Sequence, residues 1–97
     1  MNNFEGTLGL AKRAGKVVSG DLIWESIRKK QAKLVVIDAD IGMNTRKKLN
    51  DKCAFYGIEI MIPPRAQTIM NAIGQNRKAI AICDQGFANA LRKWKGT

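Results

Sequence analysis

The chain has 97 residues, 45% hydrophobic and 26% charged, which points to one folded domain with a modest core and excludes a disordered chain. Its 17 Lys and Arg against 8 Asp and Glu leave a net charge of +9. A field of that sign on so small a surface draws polyanions and releases their condensed counterions, so nucleic acid is the leading partner class, ahead of an anionic membrane or charge that serves solubility alone.

Helical and strand patterns alternate from one end to the other, with no internal repeat, low-complexity tract or linker. Phe4, Leu8, Leu10 and Ala11 recur at helical spacing, predicting a first helix over about 4–14 that stops before Gly15. Lys16-Val17-Val18 reads as a short strand. Ser19-Gly20-Asp21 then offers a helix start, capped by Asp21 or Ser19, and the helix runs to about Lys30 with Leu22, Ile23 and Ile27 buried. Leu34-Val35-Val36-Ile37 reads as a strand buried on both faces, closed by Asp38-Ala39-Asp40-Ile41-Gly42. Asn44 or Thr45 caps a third helix that reaches Phe55 or Tyr56 and stops at Gly57. A strand follows over 58–62, ended by Pro63-Pro64, then a short helix over about 66–73 ending at Gly74. Gln75–Lys78 is a loop, Ala79–Cys83 the last strand and Gly86–Lys95 the last helix. This alternation predicts an α/β fold in three layers: four strands in a mostly parallel sheet, with five helices over both faces. In such sheets ligands favour the loops at the strands' carboxyl ends, here Asp38–Gly42 and Asp84–Gly86.

The sequence offers little to a catalyst. Asp38, Asp40 and Asp84 each follow a predicted strand and together suggest a magnesium site, but Asp in such places more often caps helices and satisfies turn amides. There is no His, no phosphate-cradling glycine loop and no nucleophile beside a base, so no enzyme and no cofactor are expected. Cys53 and Cys83 are too few for a zinc knuckle and read as small buried thiols in a reducing compartment. No stretch reaches the ~18 apolar residues of a membrane span, and the first residues lack a signal peptide's apolar core, so a cytoplasmic protein is expected.

The cations fall in five groups: Lys12, Arg13 and Lys16; Arg28, Lys29, Lys30 and Lys33; Arg46, Lys47, Lys48 and Lys52; Arg77 and Lys78; Arg92, Lys93 and Lys95. The most distinctive segment is Lys12–Gly20, where three cations and two glycines surround one short strand. The helix opening after Gly20 has free amides for a phosphate or base edge, which suits RNA with bases splayed from the helix. Trp24 and Trp94 are candidate stacking platforms, but their helical settings favour packing on the core.

The run AKRAGKVVSG, the strand KLVVIDAD, the helix start NTRKKLNDKC and the end CDQGFANAL resemble the bacterial YlxQ-type proteins. Those belong to the superfamily of kink-turn-binding ribosomal proteins typified by archaeal ribosomal protein seven-Ae and eukaryotic ribosomal protein thirty-e. The resemblance spans about residues 4–94. It implies a single-domain α/β/α sandwich with a mixed four-stranded sheet, thirty-e-like. It also implies binding of structured RNA, a kink-turn or related internal loop, with no catalysis and no cofactor. Ribosomal RNA as the partner, association with ribosomes, a monomeric state and no membrane contact are expected alongside it. The family's RNA-reading helix opens with Gly-x-Asn-Glu-x-x-Lys. The matching stretch here is Gly20–Glu25, which fits once one residue is dropped after Gly20, so that Asp21 takes the Asn position and Leu22 the Glu position. Glu25 stands at the family's Lys, where it repels phosphate, and Ala66 stands at another usual Lys. Arg77 falls on the usual Arg before the last strand, while Asp40 and Gly42 occupy the loop after the second strand.

The RNA is thus expected across Ser19, Gly20, Asp21 and Leu22, the Asp40–Arg46 loop, and Arg77 and Lys78. Lys16 and Arg28 are expected on phosphates, with Asp21 and backbone amides facing bases. The alternative is a protein-interaction module on the same fold with only non-specific RNA affinity, a reading that Leu22 and Glu25 suit.

Overall fold

A computed structural model describes residues 3–63 and 68–94 of the chain. The helices among them are α1 (Phe4–Arg13), α2 (Leu22–Arg28), α3 (Met43–Tyr56), α4 (Thr68–Ile73) and α5 (Gln85–Arg92). The strands are β1 (Val17–Ser19), β2 (Leu34–Ile37), β3 (Ile60–Met61) and β4 (Ala79–Ile82). The first two residues of the helix expected over 66–73 lie outside the described residues, as do Pro64, Ala66 and the Lys95 end of the last helix.

Local chemistry sets most boundaries. Asn3 caps α1 by accepting from the Gly6 N–H. Gly57 ends α3 in the left-handed conformation at φ +70°, where a side chain would be strained. Asp84 caps α5 by accepting from the Phe87 N–H at 2.9 Å, the routine use of an aspartate. Several boundaries differ from expectation. The strand expected over 58–62 covers only Ile60–Met61, and the last helix ends at Arg92, short of Lys95. The second helix ends at Arg28 rather than Lys30, because the Gln31 and Ala32 N–H groups both donate to the Ser26 carbonyl and Lys30 turns to φ +59°. The third begins at Met43 rather than after a cap at Asn44 or Thr45: Gly42 holds the N-cap place with no side chain to offer, and its carbonyl accepts from Arg46 N–H.

The sheet runs in the order β1-β4-β2-β3. β4 is antiparallel to both β1 and β2, and only β2 and β3 are parallel. The sheet is therefore mixed, and the mostly parallel arrangement read from the alternation is corrected, because residue patterning does not encode strand direction. Strand alternation divides the core in two. Leu34, Val36, Ile80 and Ile82 meet Leu8, Ile69 and Leu91 on one face. Val35, Ile37 and Ala81 meet Ile23, Ile27, Leu49 and Cys53 on the other. Each fully buried aliphatic side chain contributes ~1.5–3 kcal/mol, and these two layers supply most of the stability.

The pairing register decides which loops meet. Ile37 sits opposite Ala79 and Leu34 opposite Ile82. The turns after β1 and β2 and the loop before β4 thus share one end of the sheet. The turn after β4, with Asp84, lies at the other end. Asp38 and Asp40 therefore cannot join Asp84 in a magnesium site.

Candidate nucleic-acid interface

A groove of about 410 Å³ opens at the shared end. The turn after β1 contributes Gly20 and Asp21, α2 contributes Trp24, and the start of α3 contributes Gly42 and Thr45. Asn76, Arg77 and Lys78 close it from the loop before β4, over a floor that includes Ile23, Ile41 and Leu49. Gly20 makes the entry turn: its φ is +65°, and its carbonyl accepts the Ile23 N–H at 3.1 Å. Asp21 occupies the N-cap position of α2 in helical geometry and makes no side-chain cap bond, so its carboxylate is not spent on the helix. Leu22 and Met43, 58% and 83% exposed, stand beside this opening and add apolar surface.

Of the ten expected site residues, the groove gathers Gly20, Asp21, Arg77 and Lys78 in its walls. Asp40 reaches it through Lys78, whose Nζ donates to both Asp40 carboxylate oxygens at 3.0 Å. That contact holds the Asp40 carboxyl below its usual range and raises the Lys78 ammonium above its own. The Asp38 N–H also donates to the Lys78 carbonyl at 2.8 Å, so the two loops are tied through backbone as well as side chain. Ser19 and Arg46 are half-buried beside the wall residues, and Leu22, expected to be buried with Ile23 and Ile27, is instead exposed at the first turn of α2.

Lys16 and Arg28 are not brought to the groove. Lys16 precedes β1, so a strand of ~10 Å separates it from the Gly20 turn. Its carbonyl accepts from Cys83 N–H at the opposite end of the sheet. Arg28 closes α2, ~9 Å along the helix from Leu22. Glu25, where a cation was expected, is paired with Lys29 at 3.0 Å, and this hydrogen bond holds its carboxyl below the usual range.

The groove also contains residues the sequence did not single out for it. Asn76 carries no signal beyond its place before Arg77. Thr45 reads as a cap, and only the earlier start of α3 turns it into a wall. Trp24 is partly packed on the core, as its helical setting suggests, and lines the groove as well. Trp94 packs against the other core layer. The cysteines have no place in this site: burial pushes the Cys53 thiol up to about 11 and raises Cys83 too. Among the described residues no helix is long and apolar enough to cross a membrane, and no cluster of Cys, Asp and Glu is placed to hold a metal.

Comparison with known proteins gives a consistent picture. The model of the Ribosomal protein L7Ae/L30e/S12e/Gadd45 family matches residues 2–92. RNA-binding protein YlxQ of Bacillus subtilis (strain 168) is 45% identical over 86 residues, covering 87% of this chain and 86% of that one. RNA-binding protein YlxQ of Enterococcus faecium is 37% identical over 87 residues, covering 89% and 84%. A Bacillus halodurans C protein of unknown function superposes with a TM-score of 0.89 at 32% identity over 97% of both chains. The Giardia lamblia 15.5kD RNA binding protein shares the fold alone, with a TM-score of 0.72 at 14% identity over 92% of this chain and 78% of that one.

Proposed function

The chain belongs to the ribosomal protein L7Ae/L30e/S12e/Gadd45 family, and from that membership we propose that it binds structured RNA through the groove, without catalysis. Its target is a kink-turn or related internal loop, ribosomal RNA being the expected source, and it acts as a cytoplasmic monomer. The observation that carries this reading is the convergence of Asp21, Arg77 and Lys78 on one groove in a chain of net charge +9.

The geometry supports the following roles. Arg77 is exposed and, among the described residues, in no ion pair, so its guanidinium is available to a phosphate or a guanine edge. Asp21 accepts hydrogen bonds from base amino groups. Ser19 and Gly20 shape the turn that presents it. Leu22 and Met43 offer apolar contact to an unstacked base. Asp40 occupies Lys78 in an ion pair, and Arg46 supports the loop behind it. Lys16 and Arg28 can meet phosphates only of an RNA long enough to run beyond the groove.

Gel-shift titration against a kink-turn RNA, a random duplex and a single strand tests the reading. Preference for the kink-turn by tenfold or more is expected. Equal, weak, salt-sensitive binding to all three would sink specific recognition. It would leave the second reading, a protein-interaction module, which the exposed Leu22 favours.

A further inference from the structure

Beside the groove lies a second hollow of about 380 Å³, between α2 and α3, lined by Trp24, Lys48, Asp51 and Lys52. Trp24 lines both depressions, so they form one continuous surface. On α3 the spacing of Lys48, Asp51 and Lys52, at i, i+3 and i+4, puts all three on one stripe. Thr45 and Leu49, on the adjacent stripe, face the groove. Three opposite-charge pairs form elsewhere: Glu25 with Lys29, Asp40 with Lys78, Glu59 with Arg92. Among the described residues, Lys48, Asp51 and Lys52 make no such pair and no side-chain hydrogen bond, although they share one hollow.

We propose that this hollow holds one unstacked nucleotide of the bound RNA, its base against Trp24, its amino group donating to Asp51 and its flanking phosphates met by Lys48 and Lys52. An indole is a stacking platform for any base. A carboxylate beside it accepts from the exocyclic amino group of cytosine, whereas at the same ring position uracil presents the O4 acceptor, which repels it, and keeps only a single N3–H donor between two carbonyls. Two unpaired ammonium groups supply the counter-charge of a passing backbone. The volume falls within the ~300–1,000 Å³ typical of small-molecule sites. The inference rests on RNA binding at the groove, and it extends the strand's path from Asp21 and Arg77 across Trp24 onto α3.

The test uses the full chain with Trp94→Phe, leaving Trp24 as the sole tryptophan. Oligocytidylate, oligouridylate and a kink-turn RNA are titrated by fluorescence at several salt concentrations. Oligocytidylate should quench Trp24 and bind more tightly than oligouridylate, and Asp51→Asn should abolish that difference. Lys48→Ala with Lys52→Ala should lower the single-strand salt slope by about 1.4. Trp24→Ala should weaken oligocytidylate binding roughly tenfold, with Trp24→Phe retaining most of it and serving where the alanine variant fails to fold. Because Trp24 also faces the groove, quenching alone does not decide the matter. An unchanged slope in the double lysine variant, or cytosine preference that survives Asp51→Asn, overturns the hollow as a nucleotide site. If Arg77→Ala still weakens kink-turn binding in that event, the groove stands and only the hollow falls. If Arg77→Ala does nothing while the hollow variants behave as expected, the groove reading fails instead.

Discussion

The two ends of the sheet carry similar charge and do different things with it. At the groove end, Arg77 stands exposed beside Asp21, and Lys78 is held by Asp40 on an accessible surface. At the opposite end, Arg92 is consumed by structure. Its Nε donates to Glu59 at 2.6 Å, one terminal nitrogen to Asn89 and the other to the Lys33 carbonyl, both at 2.8 Å. That guanidinium stitches α5 to the segments entering β2 and β3. Counting cations therefore says that a chain attracts polyanions. What each cation is bonded to says where the polyanion can sit.

Arg92→Ala should produce the largest change in stability and none in RNA binding. Removing it takes one charge-assisted donor from Glu59 and one donor from the Lys33 carbonyl, at a cost of ~1–3 kcal/mol. Thermal or urea unfolding measures the loss, and an altered RNA salt slope would erase the contrast between the ends. Arg77→Ala should do the converse. Its slope against duplex-flanked kink-turn RNA should fall by about 0.9, with stability within ~0.5 kcal/mol of the parent. Glu25→Lys should add a cation on the outer face of α2, raising the slope by nearly as much if the RNA extends along that helix. Asp40→Asn should have a smaller effect of the same sign, because Lys78, released from its partner, gains freedom to meet a phosphate. Lowered affinity in that variant would mean that Asp40 positions Lys78 rather than occupying it.

The smallest effect expected is that of pH. The Asp40 carboxyl lies below its ordinary 3.8, so its pairing is fully present above that value and is lost as pH falls through the depressed one. The Lys78 ammonium lies above its ordinary 10.5, so its contribution is lost only as pH rises through the raised value. With no His in the chain, RNA affinity should be flat between about pH 5 and 9. A step near neutrality in a binding titration would contradict this account of the groove.

Much of this was legible in the residues. Gly57 announces the end of α3 because a left-handed C-cap favours the residue with no Cβ. Leu34–Ile37 is apolar at every position because the strand has a core layer on each face, and all four residues are buried. Arg77 and Asp21 were marked by their match to the family's motif. The start of α3 was not legible, since Gly42 gives no capping side chain to recognise. Nor was the distance of Lys16 from Arg77, because adjacency to Gly20 in the chain becomes separation by a strand once β1 is extended.

The sequence alone determined the order of elements, the two-sided burial of the central strands and the excess of positive charge, because these depend on local periodicity and composition. Only the tertiary structure decided which charges act together. The antiparallel insertion of β4 between β1 and β2 brings the Arg77–Lys78 loop to the Gly20–Asp21 turn and sends Asp84 to the far end. Strand direction is set by how connections cross the sheet and which faces they cover, which is a property of the whole chain packing at once.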